Sequence, residues 1–335
     1  MEIAARIVRL RLAETFVISR ESQDVADVVQ VSITHDDITG HGEAAPVERY
    51  AETVDSALAF VEHHAELIGD DPFALEAVGD RLAEIPGEQA AKCALDAALH
   101  DLQGKLLGVA TWRLLGVPRL GPPTSWTVWL GDPDDMARRA EAASAGFRRL
   151  KLKLGGADGL DVERVRVVRS VTSLPLQVDV NEWWSLDEAL DALPQLGELG
   201  VEYCEQPLRE GDEGGRVLKE RSPIPIFVDE DCHTLADVAA CARIAHGVNI
   251  KLAKSGGIRE ATRIAHAARA LGLRLMLGCM IESGLGIAAG CCVAPLCDHV
   301  DLDGNLLLAD DPCPGVELVD GKQVPSDRPG LGVRV

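Results

Sequence analysis

Five short strand-like stretches end in residues whose types fit one reaction: LKLKL with Lys151 and Lys153, VDVN with Asp179, EYCEQP with Glu205, IFVDED with Asp229, and VNIKLAK with Lys251. The three acids stand 26 and 24 residues apart, the spacing of one strand plus one helix. Like charges brought together at successive strand ends are costly unless a cation or a proton neutralises them. All-oxygen ligands with room left for a substrate suit Mg2+. Such a site could remove a proton from a carbon next to a carboxylate. The metal would stabilise the enediolate charge as it develops. A lysine would be the base, its pKa lowered by the cations Lys151, Lys153 and the metal.

Taken singly these residues say little. A lone K-x-K fits a solvated strand edge, and a lone strand-end Asp fits a helix N-cap. Alternation makes the conjunction informative. Leu150, Leu152 and Leu154 share one face of their strand, and Lys151 and Lys153 share the other. Val178 and Val180 oppose Asp179 and Asn181; Val248, Ile250 and Leu252 oppose Asn249 and Lys251; Val300 and Leu302 oppose Asp301 and Asp303. In a barrel the apolar set meets the outer helices and the charged set faces the lumen, near the C-terminal mouth.

The elements that must hold these residues read as follows. Strand patterns recur near 124–130, 149–154, 175–180, 201–204, 225–229, 248–253, 273–278 and 299–302, with helical stretches between them. That predicts an α/β fold, a (β/α)7β TIM-like barrel over 119–310. Residues 1–118 read as an α+β capping domain: strands IVRLRL, DVVQVSI and HGEAAP, then helices over 52–66, 73–84 and 88–106. The segment 311–335 is expected to pack back on the capping domain. TFVISRESQ reads as a mobile loop. Lysines on strands two and six would face each other across the lumen, so one could remove a proton and the other return it to the opposite face. Lys254 competes with Lys251 for this role, but alternation favours Lys251.

The net charge of −21 argues against nucleic-acid binding. No apolar run approaches a membrane span. The N-terminus alternates like a strand and lacks a signal-peptide core. Nine cysteines without CxxC or zinc spacing read as buried thiols of a cytoplasmic protein. Homo-oligomerisation is left open.

GHGEAAPVERY, ALDAALHDLQGKLLG, LKLKLG, VDVNEWWS, EQPL, VDEDCHT and NIKLAKSGG stand in the order expected of the enolase superfamily, and the chain resembles its muconate-lactonizing subgroup along nearly its whole length. The resemblance implies that Asp179, Glu205 and Asp229 bind one Mg2+ per subunit and that Lys153 and Lys251 are the acid/base pair. Lys151 would support Lys153 and contact the substrate carboxylate. Asp301 and Asp303 resemble the D-x-D with which dipeptide epimerases hold the free amino group of a dipeptide. Thr127 matches a substrate-contacting Thr, and Arg20 lies in the segment resembling the specificity loop, where it could pair with a Glu side chain. The expected activity is dipeptide epimerisation, of L-Ala-D/L-Glu, through two-base 1,1-proton transfer. The alternatives are an N-acylamino-acid racemase or an o-succinylbenzoate synthase-type lyase on the same scaffold, both disfavoured by Asp301 and Asp303. A Schiff-base aldolase using a lumen lysine is disfavoured by the three acids. Asp231 stands where the pattern usually has Ser, which puts the surroundings of Asp229 in question.

Overall fold

The computed structural model describes residues 1–335. It begins with a three-stranded antiparallel sheet, β1 (Glu2–Val17), β2 (Ser22–His35) and β3 (Ile38–Ala44). One face of it buries Val29, Val31, Ile33 and Ala44 against α1 (Val54–His64), α2 (Leu75–Ala83) and α3 (Gln89–Leu107). Thr53 and Ser56 cap the start of α1 reciprocally, and α3 ends at Gly108 in the left-handed conformation. β3 lies so close to α3 that a Cβ at Gly40 or Gly42 would overlap the carbonyl of Ala98 or Ala94.

The stretch read as a mobile loop is mostly strand. β1 runs to Val17 and β2 begins at Ser22, with Ile18 N donating to Glu21 O (3.0 Å) across the turn between them. Pairing resumes beyond an irregularity between Arg11 and Phe16, with Phe16 opposite Gln23. Flanking polar residues suggested a loop. Thr15 Oγ1 instead donates across the strands to Asp24 Oδ1 (2.5 Å), while Ser19 and Arg20 donate to Asn181 O and Glu182 Oε2.

After the short α4 (Thr111–Leu114), eight parallel strands alternate with helices: β4 (Trp126–Val128), α5 (Pro133–Ala143), β5 (Leu150–Lys153), α6 (Asp161–Val171), β6 (Leu176–Asp179), α7 (Leu186–Glu198), β7 (Val201–Glu205), α8 (Gly215–Arg221), β8 (Ile226–Val228), α9 (Val238–Ile244), β9 (Gly247–Lys251), α10 (Leu252–Ser255), α11 (Ile258–Ala270), β10 (Arg274–Gly278), α12 (Gly284–Cys291) and β11 (His299–Asp301). The strands pair in sequence order, and Ser125 N donating to Val300 O (2.9 Å) joins the first to the last. Seven strands are followed by helices and the eighth is not, which is the (β/α)7β pattern.

The alternation works as the chemistry requires. Leu150, Leu152, Leu154, Val178 and Val180 join an outer core with α5 to α8, and Val248, Ile250, Val300 and Leu302 join another with α11 and α12. Tyr203, Phe227 and Met276 plug the lumen below the charged layer, the two rings 4.5 Å apart.

The C-terminal segment forms a hairpin, β12 (Glu317–Val319) and β13 (Lys322–Val324), and touches both parts of the chain. Gln323 Nε2 donates to Leu302 O (2.8 Å), and Leu331 N donates to Asp101 Oδ1 (2.7 Å). No helix is long and apolar enough to cross a membrane.

Candidate active site

Each charged side chain of the lumen is placed by the last residues of a strand. Asp179 ends β6 and Glu205 ends β7, and the two are register partners. Asp229 follows β8, and Lys251 ends β9. Lys151 Nζ sits 3.1 Å from Asp179 Oδ2, 2.7 Å from Glu205 Oε2 and 2.8 Å from Asp301 Oδ2. Lys153 Nζ donates to Asp179 Oδ2 (2.6 Å) and Asn181 Oδ1 (3.2 Å). Across the lumen, Lys251 Nζ lies 2.6 Å from Asp229 Oδ2. Lys254, on α10, holds the other oxygen of Asp229 at 2.6 Å and also donates to Asn249 O (3.0 Å). Lys251 lines the cleft, and Lys254 buttresses Asp229 from outside it.

Burial alone would push every one of these carboxyls up, yet the outcomes differ. Asp179 is drawn well below the usual range, because Lys151, Lys153 and Lys251 outweigh burial. Asp229 is drawn down likewise by Lys251 and Lys254. Glu205 is pushed up by burial and by Asp179. Two of the lysines respond to the same acids. Burial lowers Lys251, but Asp229 and Glu205 outweigh it and raise its pKa. Lys151 is raised in the same way by Asp179, Asp301 and Glu205. Direct contact with carboxylates overrides the more distant repulsion between cations.

No three His, Cys, Asp or Glu side chains close on one point as the chain stands. Lysine ammoniums bridge the acids instead. The donor set nonetheless fits a hard divalent ion. It is all oxygen and comes from three adjacent strands, and two of its members, Asp179 and Glu205, converge on Lys151 Nζ. Glu205 Oε2 and Asp229 Oδ2 are buried without a directed hydrogen bond, although each lies close to an ammonium.

The charged layer opens into a cleft of about 130 Å3 between barrel and capping domain. Thr127, Lys151, Lys153, Lys251, Asp301 and Asp303 line one side; Phe16, Ile18, Arg20 and Tyr50 line the other. Asp303 Oδ2 accepts from Thr127 N (2.7 Å), and burial together with Asp301 pushes Asp303 up to about 7. Asp301 gives one oxygen to Lys151, while its Oδ1 is buried with no partner. Arg20 reaches the cleft but is already engaged by the barrel: Nη1 donates to Glu230 Oε1 (3.0 Å), Glu182 Oε2 (3.2 Å) and Asn181 O (3.5 Å). Asp231 accepts from Gln206 Nε2 (2.7 Å) and Gly211 N (2.8 Å), so it braces the loop beside Asp229.

The sequence reading missed several contributors. Asn249 Nδ2 fixes Glu205 Oε1 (2.7 Å), and Asn181 fixes Lys153. Alternation had put both on the lumen face, and that was the available clue. Glu182 and Glu230 gave no comparable clue, because both lie past the strand ends where alternation stops.

An eight-stranded barrel with lysines and acids ringed at its C-terminal mouth is thus closed by an α+β cap. Residues 135–335 match the enolase C-terminal domain-like family and residues 2–116 match the mandelate racemase / muconate lactonizing enzyme N-terminal domain, so the chain belongs to this family. It is 39% identical over 328 residues to the L-Ala-D/L-Glu epimerase of Bacteroides thetaiotaomicron, covering 97% of this chain and 85% of that one. It is 36% identical to the L-Ala-D/L-amino acid epimerase of a Maribacter species, covering 99% of each. The solved structure of a dipeptide epimerase from Enterococcus faecalis, complexed with Mg and L-Leu-L-Tyr, superposes with a TM-score of 0.95 at 30% identity, covering 99% of both chains.

Proposed function

We propose that this protein is a Mg2+-dependent dipeptide epimerase that inverts the Cα of the C-terminal residue, with L-Ala-D/L-Glu as the first substrate to test. The observation that carries the reading is the buried, unpartnered Asp301 Oδ1 beside Asp303 in the cleft wall. Those acids lie beyond the three proposed ligands, and a buried carboxylate oxygen without a partner calls for a cation. A free α-ammonium supplies that charge; an acylated nitrogen keeps a donor but carries no charge. Epimerase relatives that match over 97% and 99% of this chain support the same reading.

Asp179, Glu205 and Asp229 would hold the ion. When bound there, Mg2+ supplies positive charge that neutralises these acids and the substrate carboxylate, easing loss of the Cα proton and loosening the hold of Asp229 on the Lys251 proton. Lys153 and Lys251 stand on opposite sides of the lumen, so one removes the proton and the other delivers one to the opposite face. Lys151 steadies the substrate carboxylate. Thr127 sets Asp303 through its backbone N–H. Arg20 makes its contacts through Nη1, which leaves its other donors for an acidic side chain. Nine cysteines, none in a disulfide, fit a cytoplasmic setting.

A dipeptide library incubated in D2O with Mg2+ tests this. Deuterium should enter the Cα of the C-terminal residue of free dipeptides. Equal exchange into N-acetylated dipeptides would reject the reading in favour of an N-acylamino-acid racemase.

A further inference from the structure

The peptide that follows Asp179 takes an unusual path. Asn181 and Glu182 both have positive φ, 47° and 69°, and neither is glycine. Two consecutive side-chain-bearing residues in the left-handed region are strained, and such strain persists where surrounding contacts over-determine it. The contacts here are specific. Glu182 N donates to Gln206 O (2.9 Å). The Glu182 carboxylate accepts two bonds from Arg49, from Nε and Nη2 at 2.8 Å each. It accepts a third from Arg20 Nη1 (3.2 Å) and a fourth from Glu210 N (2.9 Å). Both arginines belong to the capping part of the chain, and Glu182 belongs to the barrel.

The Arg20 end of this cluster matters for the cleft. Arg20 sits in the turn between β1 and β2, and Phe16, Ile18 and Arg20 of that hairpin form the cleft's far wall. On the barrel side the turn is further held by Ser19 Oγ donating to Asn181 O (3.3 Å) and by Leu130 N donating to Val17 O (2.9 Å). The Glu182 side chain is 11% exposed and its Arg20 and Arg49 partners 29% and 32%, so the cluster is partly shielded from water, and its bidentate arginine–carboxylate pair adds geometric specificity to charge.

We infer that Glu182 is a positioning residue that latches the capping hairpin onto the barrel and so sets the far wall of the substrate cleft. It touches neither the reacting atoms nor the proposed metal ligands. It acts through Arg20 and Arg49. Loss of the latch weakens substrate binding and leaves the lysine geometry in place, because Lys153 is held by Asp179 and by the Asn181 side chain. Only the kinetic arm of the test rests on the epimerase reading.

The test compares the full-length wild type with Glu182→Gln, which keeps the shape and removes the charge. Amide hydrogen exchange over residues 15–23 should quicken about tenfold, with β6 unchanged, the size expected for loss of charged hydrogen bonds. KM for the dipeptide should rise about tenfold, with kcat held within about threefold. Unchanged exchange over 15–23 overturns the latch, and so does a fall in kcat at constant KM. Should Glu182→Gln fail to fold, Arg49→Met breaks the bidentate pair from the capping side and is read by the same exchange measurement. A wild type that epimerises no dipeptide rejects the functional reading, while the exchange result still decides the latch.

Discussion

Lys153 and Lys251 end strands four places apart in a ring of eight, so they face each other across the lumen, each gripped at 2.6 Å by a different carboxylate, Asp179 for one and Asp229 for the other. The two carboxylates keep the ammoniums apart and aimed at the space between.

That opposition predicts separable half-reactions. Lys153→Ala should abolish α-proton exchange from one epimer in D2O, and Lys251→Ala should abolish it from the other. NMR of each pure epimer reads the outcome. Full activity in Lys251→Ala, with loss in Lys254→Ala, would mean that the lysine lining the cleft is not the base.

Asp303 is predicted to carry recognition of the amino group. Removing one partner of a buried charged pair costs about 2–5 kcal/mol, roughly 30- to several-thousand-fold in kcat/KM. Asp303→Asn should lose that much toward L-Ala-L-Glu in steady-state kinetics. N-acetylation of the dipeptide should penalise the wild type to a similar degree and the variant much less.

Mg2+ should stabilise the folded chain, since an ion that binds only the native state raises the unfolding temperature in a concentration-dependent way. Glu205→Gln keeps the hydrogen-bonding shape beside Asn249 and removes the charge. Its melting temperature should not respond to Mg2+, and its activity should be lost. A wild type fully active in EDTA would contradict the metal site.

A pH dependence follows from the barrel floor. His299 is held down to about 4 by burial and by Arg149 and Arg274, whose guanidiniums approach its two ring nitrogens at 3.0 and 2.7 Å. Unfolded, it takes its proton near the ordinary 6.5. Between these values the unfolded chain binds more protons, so this group removes stability as pH falls from about 6.5 to about 4, and none further below. Thermal melts across that range should show a shallower acid slope for His299→Gln than for wild type.

Strand alternation carried much of the barrel and its polar face into view from the sequence, because in β5, β6, β9 and β11 the apolar residues and the chemical residues fall on opposite parities. The TFVISRESQ hairpin was not visible, since Thr15 is paired across the strands with Asp24 and Ser19 and Arg20 bond to barrel residues more than 160 positions away. Glu182 and Glu230 escaped for a related reason. Their positions depend on a left-handed backbone and on arginines more than 130 residues away in the chain, and local periodicity encodes neither. The pairing of Lys151 with Glu205 and of Lys251 with Asp229 was not visible because it turns on contacts of under 3 Å, and spacing cannot supply those.

The bond from Thr127 N to Asp303 has a topological corollary. It spans the seam where the ring's first strand meets its last, so the residues proposed to grasp the substrate's amino end also button the cylinder shut. A circular permutant opened in the β5–α6 connection would keep that seam intact and with it the preference for free dipeptides. One whose new termini fall between β11 and the residues that follow it would loosen the seam and blur that preference, even where the other strands stay paired. The proposed discrimination in this barrel would thus be tied to how its circle is completed.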